Sequence, residues 1–181
     1  MTILIGLGAL AFLIVIWMYN SLIVARNRIQ NAWAQIEVQL KRRHDLIPNL
    51  VEVAKGYMKH ERELLENVTK ARQQAISASG VQEKAAAENM LTSTLRSLFA
   101  VAEAYPELKA NQNLLALQEE LTSTENKISF ARQHYNDMVM DYNAKLQKIP
   151  TNVIADLFKF KAAPFFELQE PSEREPVKVK F

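Results

Sequence analysis

The sequence predicts an all-α protein in which an N-terminal transmembrane helix continues into a long antiparallel bundle of three to four helices. Three observations predict this fold class. Residues 1–25 carry no charged side chain, apolar residues then recur every three or four positions, and only two of the four glycines lie beyond residue 10. Because sheet turns and phosphate-binding loops need glycine, a sheet-rich domain and a phosphate loop are both excluded.

The composition narrows the class of protein further. The length of 181 residues suits one domain with one appended segment. The absence of cysteine excludes disulfides, cysteine-ligated zinc, iron–sulfur clusters and thiol catalysis. A net charge of +2 is too small to indicate a nucleic-acid partner. We therefore expect no cofactor and no nucleic-acid binding.

The first element, over residues 1–25, is a predicted membrane span. As a helix, its roughly 23 apolar residues measure about 34 Å, which covers a hydrocarbon core of about 30 Å. Representative positions of the span are Ile3, Leu7, Phe12, Ile16, Trp17 and Tyr19. The two aromatic residues at its end suit a membrane interface. A cleavable signal peptide is the alternative, but the basic start and the small-residue cleavage site are both missing.

Basic residues predict the orientation of this span. They follow it and do not precede it, at Arg26, Arg28, Lys41, Arg42 and Arg43. By the positive-inside rule, the N-terminus faces out and the C-terminal domain is cytoplasmic. The last three of these residues are also a candidate contact patch for head groups or acidic partners. A solvated helix face is an equal alternative for them.

Residues 26–150 are predicted to form the bundle. Residues 9–47 contain no glycine or proline, so the membrane helix should enter the bundle without a flexible linker. Pro48 predicts a kink or short break over residues 44–48, with Asp45 capping a resumed helix that runs to about Ile76. A turn over residues 77–80 should precede the next helix, over residues 82–104.

The last long helix has the most regular pattern in the chain. Asn111 or Asn113 should cap its start, and Pro150 should end it. Its apolar positions alternate spacings of three and four, which makes a heptad seam. The seam consists of Leu114, Leu117, Leu121, Thr124, Ile128, Ala131, Tyr135, Met138 and Tyr142. We interpret it as bundle core, and an intermolecular coiled coil is the alternative.

Residues 151–169 are predicted to be a short amphipathic, Phe-rich segment, followed by a disordered tail over residues 170–181. Thr151 or Asn152 should cap a helix that runs from Val153 to about Phe160. The candidate contact residues here are Phe158, Lys159, Phe160, Lys161, Phe165 and Phe166. They either plug the open end of the bundle or form a foot in the membrane interface.

Catalytic motifs are missing. None of the three histidines follows a glutamate by three positions, and His60-Glu61 lacks the second histidine of a zinc protease. There is no Gly-x-Ser-x-Gly turn. We therefore predict a protein that is not an enzyme and has no metal site.

Five longer motifs stand out along the chain: VQLKRR at residues 38–43, DLIPNLV at 45–51, FAVAEAYPELK at 99–109, LQEEL at 117–121 and TENKI at 124–128. Together they resemble the signature of the LemA family. The resemblance implies a bacterial inner-membrane protein with one N-terminal span and a cytoplasmic helical bundle. It carries over no catalytic residue. Members are often encoded near a membrane zinc metalloprotease, and a related member takes part in building magnetosome membranes.

These observations together predict a non-enzymatic, single-pass scaffold of the bacterial inner membrane. We expect its partners to be the lipid bilayer and further copies of the same chain, and its role to be organising or shaping the membrane. The alternative is an adaptor or regulator of a membrane metalloprotease in envelope stress, which rests on the family resemblance alone.

Overall fold

The structure is a computed structural model that describes residues 1–167. The predicted tail and the last two positions of the Phe-rich segment lie outside the described residues. Six helices and no strand occur within residues 1–167, which confirms the all-α prediction. The helices are α1 (Thr2–Lys55), α2 (Arg62–Ser77), α3 (Val81–Ala102), α4 (Pro106–Lys109), α5 (Gln112–Gln147) and α6 (Thr151–Leu157).

The first helix, α1, runs for 54 residues and carries the apolar N-terminal stretch into the folded part of the chain. The expected absence of a linker is therefore confirmed. Of the two alternatives expected over residues 44–48, the short break is wrong, because Pro48 lies inside α1, and the kink stays a prediction. Asp45 caps nothing there, and its carboxylate instead accepts a hydrogen bond of 2.7 Å from Lys41 Nζ.

A side chain from α2 accounts for the uninterrupted helix at Pro48. Proline has no N–H, so the carbonyl of His44, four residues earlier, loses its usual helical donor. Arg72 Nε donates to that carbonyl at 2.7 Å. The helix ends later, at Lys55, where Gly56 opens a turn before α2 begins. Glycine has a low helix propensity, which favours an end at this position.

Three other ends of the helices test the predicted caps. Gly80 has a φ of +78° in the turn before α3, a backbone conformation that favours glycine. Asn111 caps α5 as predicted, because its Oδ1 accepts from the N–H of Asn113 at 2.9 Å and of Leu114 at 3.2 Å. The limits predicted for the last helix are wrong. It begins at Thr151, directly after Pro150, and ends at Leu157.

The early end of α6 has a backbone cause. Lys159 has a φ of +56°, Phe160 N–H donates to Ala155 C=O at 2.9 Å, and Lys159 N–H donates to Asp156 C=O at 3.2 Å. This pair of hydrogen bonds is a Schellman motif, which usually has glycine at the left-handed position. Because lysine occupies that position, the sequence gives no local signal for the end of the helix.

The described chain divides into two compact units. Unit 1 contains residues Met1–Leu40 and Asn126–Phe165, and unit 2 contains Lys41–Glu125 together with Phe166 and Glu167. In unit 1, α1 buries a helical stripe of Met18, Leu22, Ala25, Ile29, Ala32, Ile36 and Leu40. The ring centroids of Trp33 and Tyr135 lie 5.4 Å apart, which joins α1 to α5.

Unit 2 has its own hydrophobic core. α2 packs against α3, and side chains from the end of α1 and the start of α5 complete the cluster. Its fully buried members include Ile47, Leu50, Val68, Leu91 and Leu108. Along α5, every position of the heptad seam is buried or half-buried. This supports the interpretation of the seam as core.

Candidate functional site

The apolar N-terminal stretch of α1 is almost bare. Large apolar side chains from Ile3 to Trp17 are exposed, and Trp17 is 72% exposed. Within residues 1–167, α1 is the one helix that is long and apolar enough to cross a membrane, judged by length and composition. The predicted span residues Ile3, Leu7, Phe12, Ile16 and Trp17 all lie on this bare stretch. An exposed apolar surface of this extent is typical of a segment that contacts lipid.

Tyr19 lies where the packed part of unit 1 begins. It is half-buried, and its ring centroid lies 4.8 Å from that of Phe158 and 5.8 Å from that of Phe160. The Arg26 guanidinium lies 5.5 Å from the centroid of the Phe160 ring. Lys145 Nζ donates to Ser21 Oγ at 3.2 Å. The structure therefore brings the Phe-rich segment and the end of α5 together with the end of the predicted span.

Side chains of α5 hold the segment after α6 in place. The Tyr142 hydroxyl donates to Lys161 C=O at 3.1 Å, and the Tyr135 hydroxyl donates to Pro164 C=O at 2.9 Å. Asn143 both donates to and accepts from the backbone of Ala163. The sequence pattern of the Phe-rich segment does not reveal these contacts, because each joins residues about 20 or more positions apart.

The predicted aromatic and basic contacts of this segment fall into different environments. Phe158 and Phe165 are exposed, Phe160 is half-buried, and Phe166 is fully buried. Lys159 and Lys161 are exposed. The sequence analysis missed three further exposed apolar residues beside them, Ile149, Val153 and Leu157. Their spacing of four was the signal that could have revealed them.

The structure divides the predicted basic patch. Lys41 pairs with Asp45, and Arg42 pairs with Glu120, both on exposed surface. Arg43 is only 2% exposed and pairs with Glu88 and Glu125. Successive helix positions point about 100° apart, so three consecutive residues cannot share one face. The patch prediction therefore extends only to Lys41 and Arg42, and Arg43 is corrected to an interior position.

Arg43 belongs to a buried ion cluster, which we define as the buried residues Arg43, His44 and Glu88 together with the half-buried Glu125. His44 Nε2 and Glu88 Oε1 lie 2.7 Å apart, and Arg43 also donates to Thr92 Oγ1 at 3.0 Å. Burial alone would raise the pKa of Glu88. The hydrogen bond from His44 and the charge of Arg43 outweigh that effect and hold the pKa below its ordinary value.

The buried ion cluster was not predicted from the sequence. Glu88 occupies the buried face of α3 between Ala85 and Leu91, an interruption of an apolar stripe that could have been noticed. A buried carboxylate needs a charged partner, and the partner lies 45 positions away. Both Nη atoms of Arg43 have acceptors within the cluster or at Thr92, whereas its buried Nε has none among the described residues. No group of three potential metal ligands occurs within residues 1–167.

Unit 1 also carries a groove on its surface. It is lined by Gln35, Val38, Gln39, Lys127, Phe130, Ala131 and His134. Val38 is 64% exposed and Phe130 is 73% exposed. Gln39 Oε1 is buried and, among the described residues, accepts no hydrogen bond. The groove therefore combines two exposed apolar side chains with an unsatisfied acceptor.

These features define a helical protein with one apolar N-terminal helix of membrane-spanning length. The chain belongs to the LemA family, whose model matches residues 32–181. It is 28% identical to Protein LemA of Metamycoplasma hominis over 153 aligned positions, which cover 83% of this chain and 69% of that protein. The predicted resemblance is thereby confirmed.

Two further relatives carry a different name. The chain is 23% identical to Magnetosome protein MamQ 2 of Paramagnetospirillum magneticum and 22% identical to Magnetosome protein MamQ of Magnetospirillum gryphiswaldense. Each match extends over 198 aligned positions and covers 94% of this chain and 72% of the relative. Together with the apolar helix, these relatives support membrane association for this chain.

Proposed function

We propose that the protein is a non-enzymatic scaffold of the bacterial inner membrane that associates with further copies of itself and organises the bilayer around it. The observation that carries this proposal is the uninterrupted helix α1. Its bare apolar stretch passes directly into the buried stripe that starts at Met18. A helix without a linker holds unit 1 at a fixed height above the bilayer, whereas a flexible linker would let it roam.

A fixed height favours lateral association of copies. Val38 lies 19 positions beyond Tyr19 on the same helix, which corresponds to about 29 Å along its axis. Every copy would present its groove at that level. Phe130 is a large apolar side chain beside the groove, and side chains of this type often anchor protein interfaces. The groove is therefore the surface through which we expect copies to meet.

The test uses the full-length protein in liposomes at several protein-to-lipid ratios. Photobleaching steps of a fluorescently labelled chain report how many copies share one complex. We expect oligomers that become rarer in Phe130→Asp, because the charge opposes burial in an interface. Leu115→Asp is the matched control, since Leu115 is also exposed on α5 but lies outside the groove. Single steps at every ratio would contradict self-association, and equal step counts for the two variants would contradict the groove as the surface through which copies meet.

The adaptor hypothesis makes a different prediction in the same system. A photo-crosslinker placed at Phe130 in cells should yield ladders of this chain if copies meet at the groove. A specific adduct with a membrane metalloprotease, without self-ladders, would favour the adaptor. The support for that alternative is the resemblance to the LemA family, whose members are often encoded near a membrane zinc metalloprotease.

A further inference from the structure

We propose that α6 and its flanking residues form an interfacial foot, which lies in the head-group layer of the leaflet where α1 leaves the membrane and binds anionic lipids. We define the foot as Ile149, Val153, Leu157 and Phe158 with Lys148, Lys159 and Lys161. The proposal rests on the membrane anchor of the proposed function. It does not depend on self-association.

The length of the span fixes the depth of the foot relative to the bilayer. The bare stretch from Thr2 to Trp17 measures about 24 Å as a helix, whereas the hydrocarbon core needs about 30 Å. The core therefore reaches about one helical turn further, to near Ser21. At that turn α1 is already packed against its own chain, since Met18 and Leu22 are buried. Whatever packs there lies at the boundary of the membrane.

Residues of α5 and of the foot pack against the last turn of the span. Phe158 is in ring contact with Tyr19, and Lys145 at the end of α5 donates to Ser21. Both contacts lie within the turn that completes the span. They place the C-terminal end of α6 beside the lipid boundary, within the same compact unit as α1. The foot is thus continuous with the surface of the span.

The outward face of the foot is apolar. α6 buries Ile154 and Ala155 and leaves Val153 and Leu157 exposed, as are Ile149 before the helix and Phe158 directly after it. The exposed fractions are 85% for Ile149, 62% for Val153, 69% for Leu157 and 50% for Phe158. An apolar row of this kind in water is unfavourable, and a lipid interface removes that cost. The helix therefore presents one apolar face to unit 1 and a second one to the membrane.

Positively charged side chains border the apolar face of the foot. Lys148, Lys159 and Lys161 flank the apolar row and are all exposed. Asp156 is the single acidic residue between positions 145 and 161. A row of apolar side chains bordered by lysines suits a leaflet rich in anionic head groups. Phe160, by contrast, is half-buried beside Tyr19 and Arg26 and closes the end of unit 1. The two interpretations of the Phe-rich segment thus apply to different residues.

The experiment measures depth directly. Because the chain has no cysteine, one introduced cysteine gives a unique spin label. Full-length Val153→Cys and Leu157→Cys are labelled and placed in phosphatidylcholine nanodiscs with and without phosphatidylglycerol. Power saturation compares the accessibility of each label to oxygen and to a water-soluble nickel complex. Glu37→Cys is the matched control, since Glu37 is also exposed in unit 1, lies outside the groove and is far along α1 from the foot.

We expect both foot labels to be several-fold more accessible to oxygen, relative to nickel, than the control label. Foot labels as nickel-accessible as the control would overturn the proposal. Low accessibility to both reagents would also overturn it, because a second copy rather than lipid would then cover the face. A label at Phe12→Cys reports the anchor separately. If it too were exposed to nickel, the anchor itself would fail.

The lipid specificity has its own variant. We expect the oxygen preference of the Leu157→Cys label to increase when phosphatidylglycerol is present. Lys148→Gln, Lys159→Gln and Lys161→Gln combined should abolish that increase and leave the helical circular dichroism unchanged. An increase that persists in this variant would exclude the lysines as the anionic-lipid contact.

Discussion

Arg43 and Glu88 are both charged residues inside unit 2, and each depends on the other. Taking one charge out of water is expensive unless a partner and further hydrogen bonds compensate. Glu88 has two such partners, the Arg43 guanidinium and the His44 ring. Loss of Glu88 would leave Arg43 with Glu125 and Thr92 alone.

Glu88→Gln should therefore be strongly destabilising. The substitution keeps the volume of the side chain and removes its charge, so we expect the free energy of unfolding to fall by about 3–5 kcal/mol. Denaturant unfolding of the detergent-solubilised full-length protein measures the change. Glu119→Gln, at an exposed position on α5, should change stability by less than about 0.5 kcal/mol. Equal effects of the two variants would show that the buried pair is not stabilising.

The same carboxylate predicts a dependence of stability on pH. The pKa of Glu88 in the folded protein lies below the ordinary value of 4.5 that it has when unfolded. Its contribution to stability is complete above that value and is lost as the pH falls towards the folded pKa. We expect melting temperatures to fall more steeply below about pH 4.5 in the wild type than in Glu88→Gln. Parallel melting curves would contradict this.

At the scale of elements, the repair at Pro48 is the clearest long-range contribution to a helix. The proline removes a backbone donor from α1, and Arg72 of α2 replaces it. Local chemistry alone predicts a helix break at Pro48. The structure has no break there, because a residue 28 positions away supplies the replacement donor.

A double-mutant cycle tests this repair. Arg72→Leu leaves the carbonyl of His44 without a donor, and we expect a loss of about 1–3 kcal/mol. Hydrogen exchange of the amides near residue 48 should also accelerate. In a Pro48→Ala background, the restored N–H can donate to the same carbonyl, so Arg72→Leu should cost less. An identical cost in both backgrounds would show that Arg72 acts through other contacts.

The elements that the sequence predicts correctly depend on local patterns. The seam of α5, the Asn111 cap and the turn at Gly80 each depend on residues within a few positions of one another. The buried ion cluster, the end of α6 at Lys159 and the uninterrupted α1 do not. They require partners distant in the chain, or a left-handed lysine where glycine is usual, and neither leaves a periodic trace in the sequence.

At the scale of the whole molecule, the basic residues that follow the span predict its orientation. We expect a cysteine at position 119, introduced as Glu119→Cys, to react with a membrane-impermeant maleimide only after the inner membrane is opened. Glu119 is exposed and lies outside the groove, so the label reports sidedness rather than burial. Thr2→Cys is the control and should react in intact spheroplasts. Labelling of position 119 in intact spheroplasts would reverse the orientation.

As the proposed membrane span, the uninterrupted α1 would also couple unit 1 to the thickness of the bilayer. A span adjusts to thicker or thinner membranes by tilting or by deforming the lipid around it. Since α1 has no break between its bare stretch and the buried stripe of unit 1, that unit would share any tilt of the proposed span. A local change in lipid length would then be converted into a change in the angle between unit 1 and the membrane.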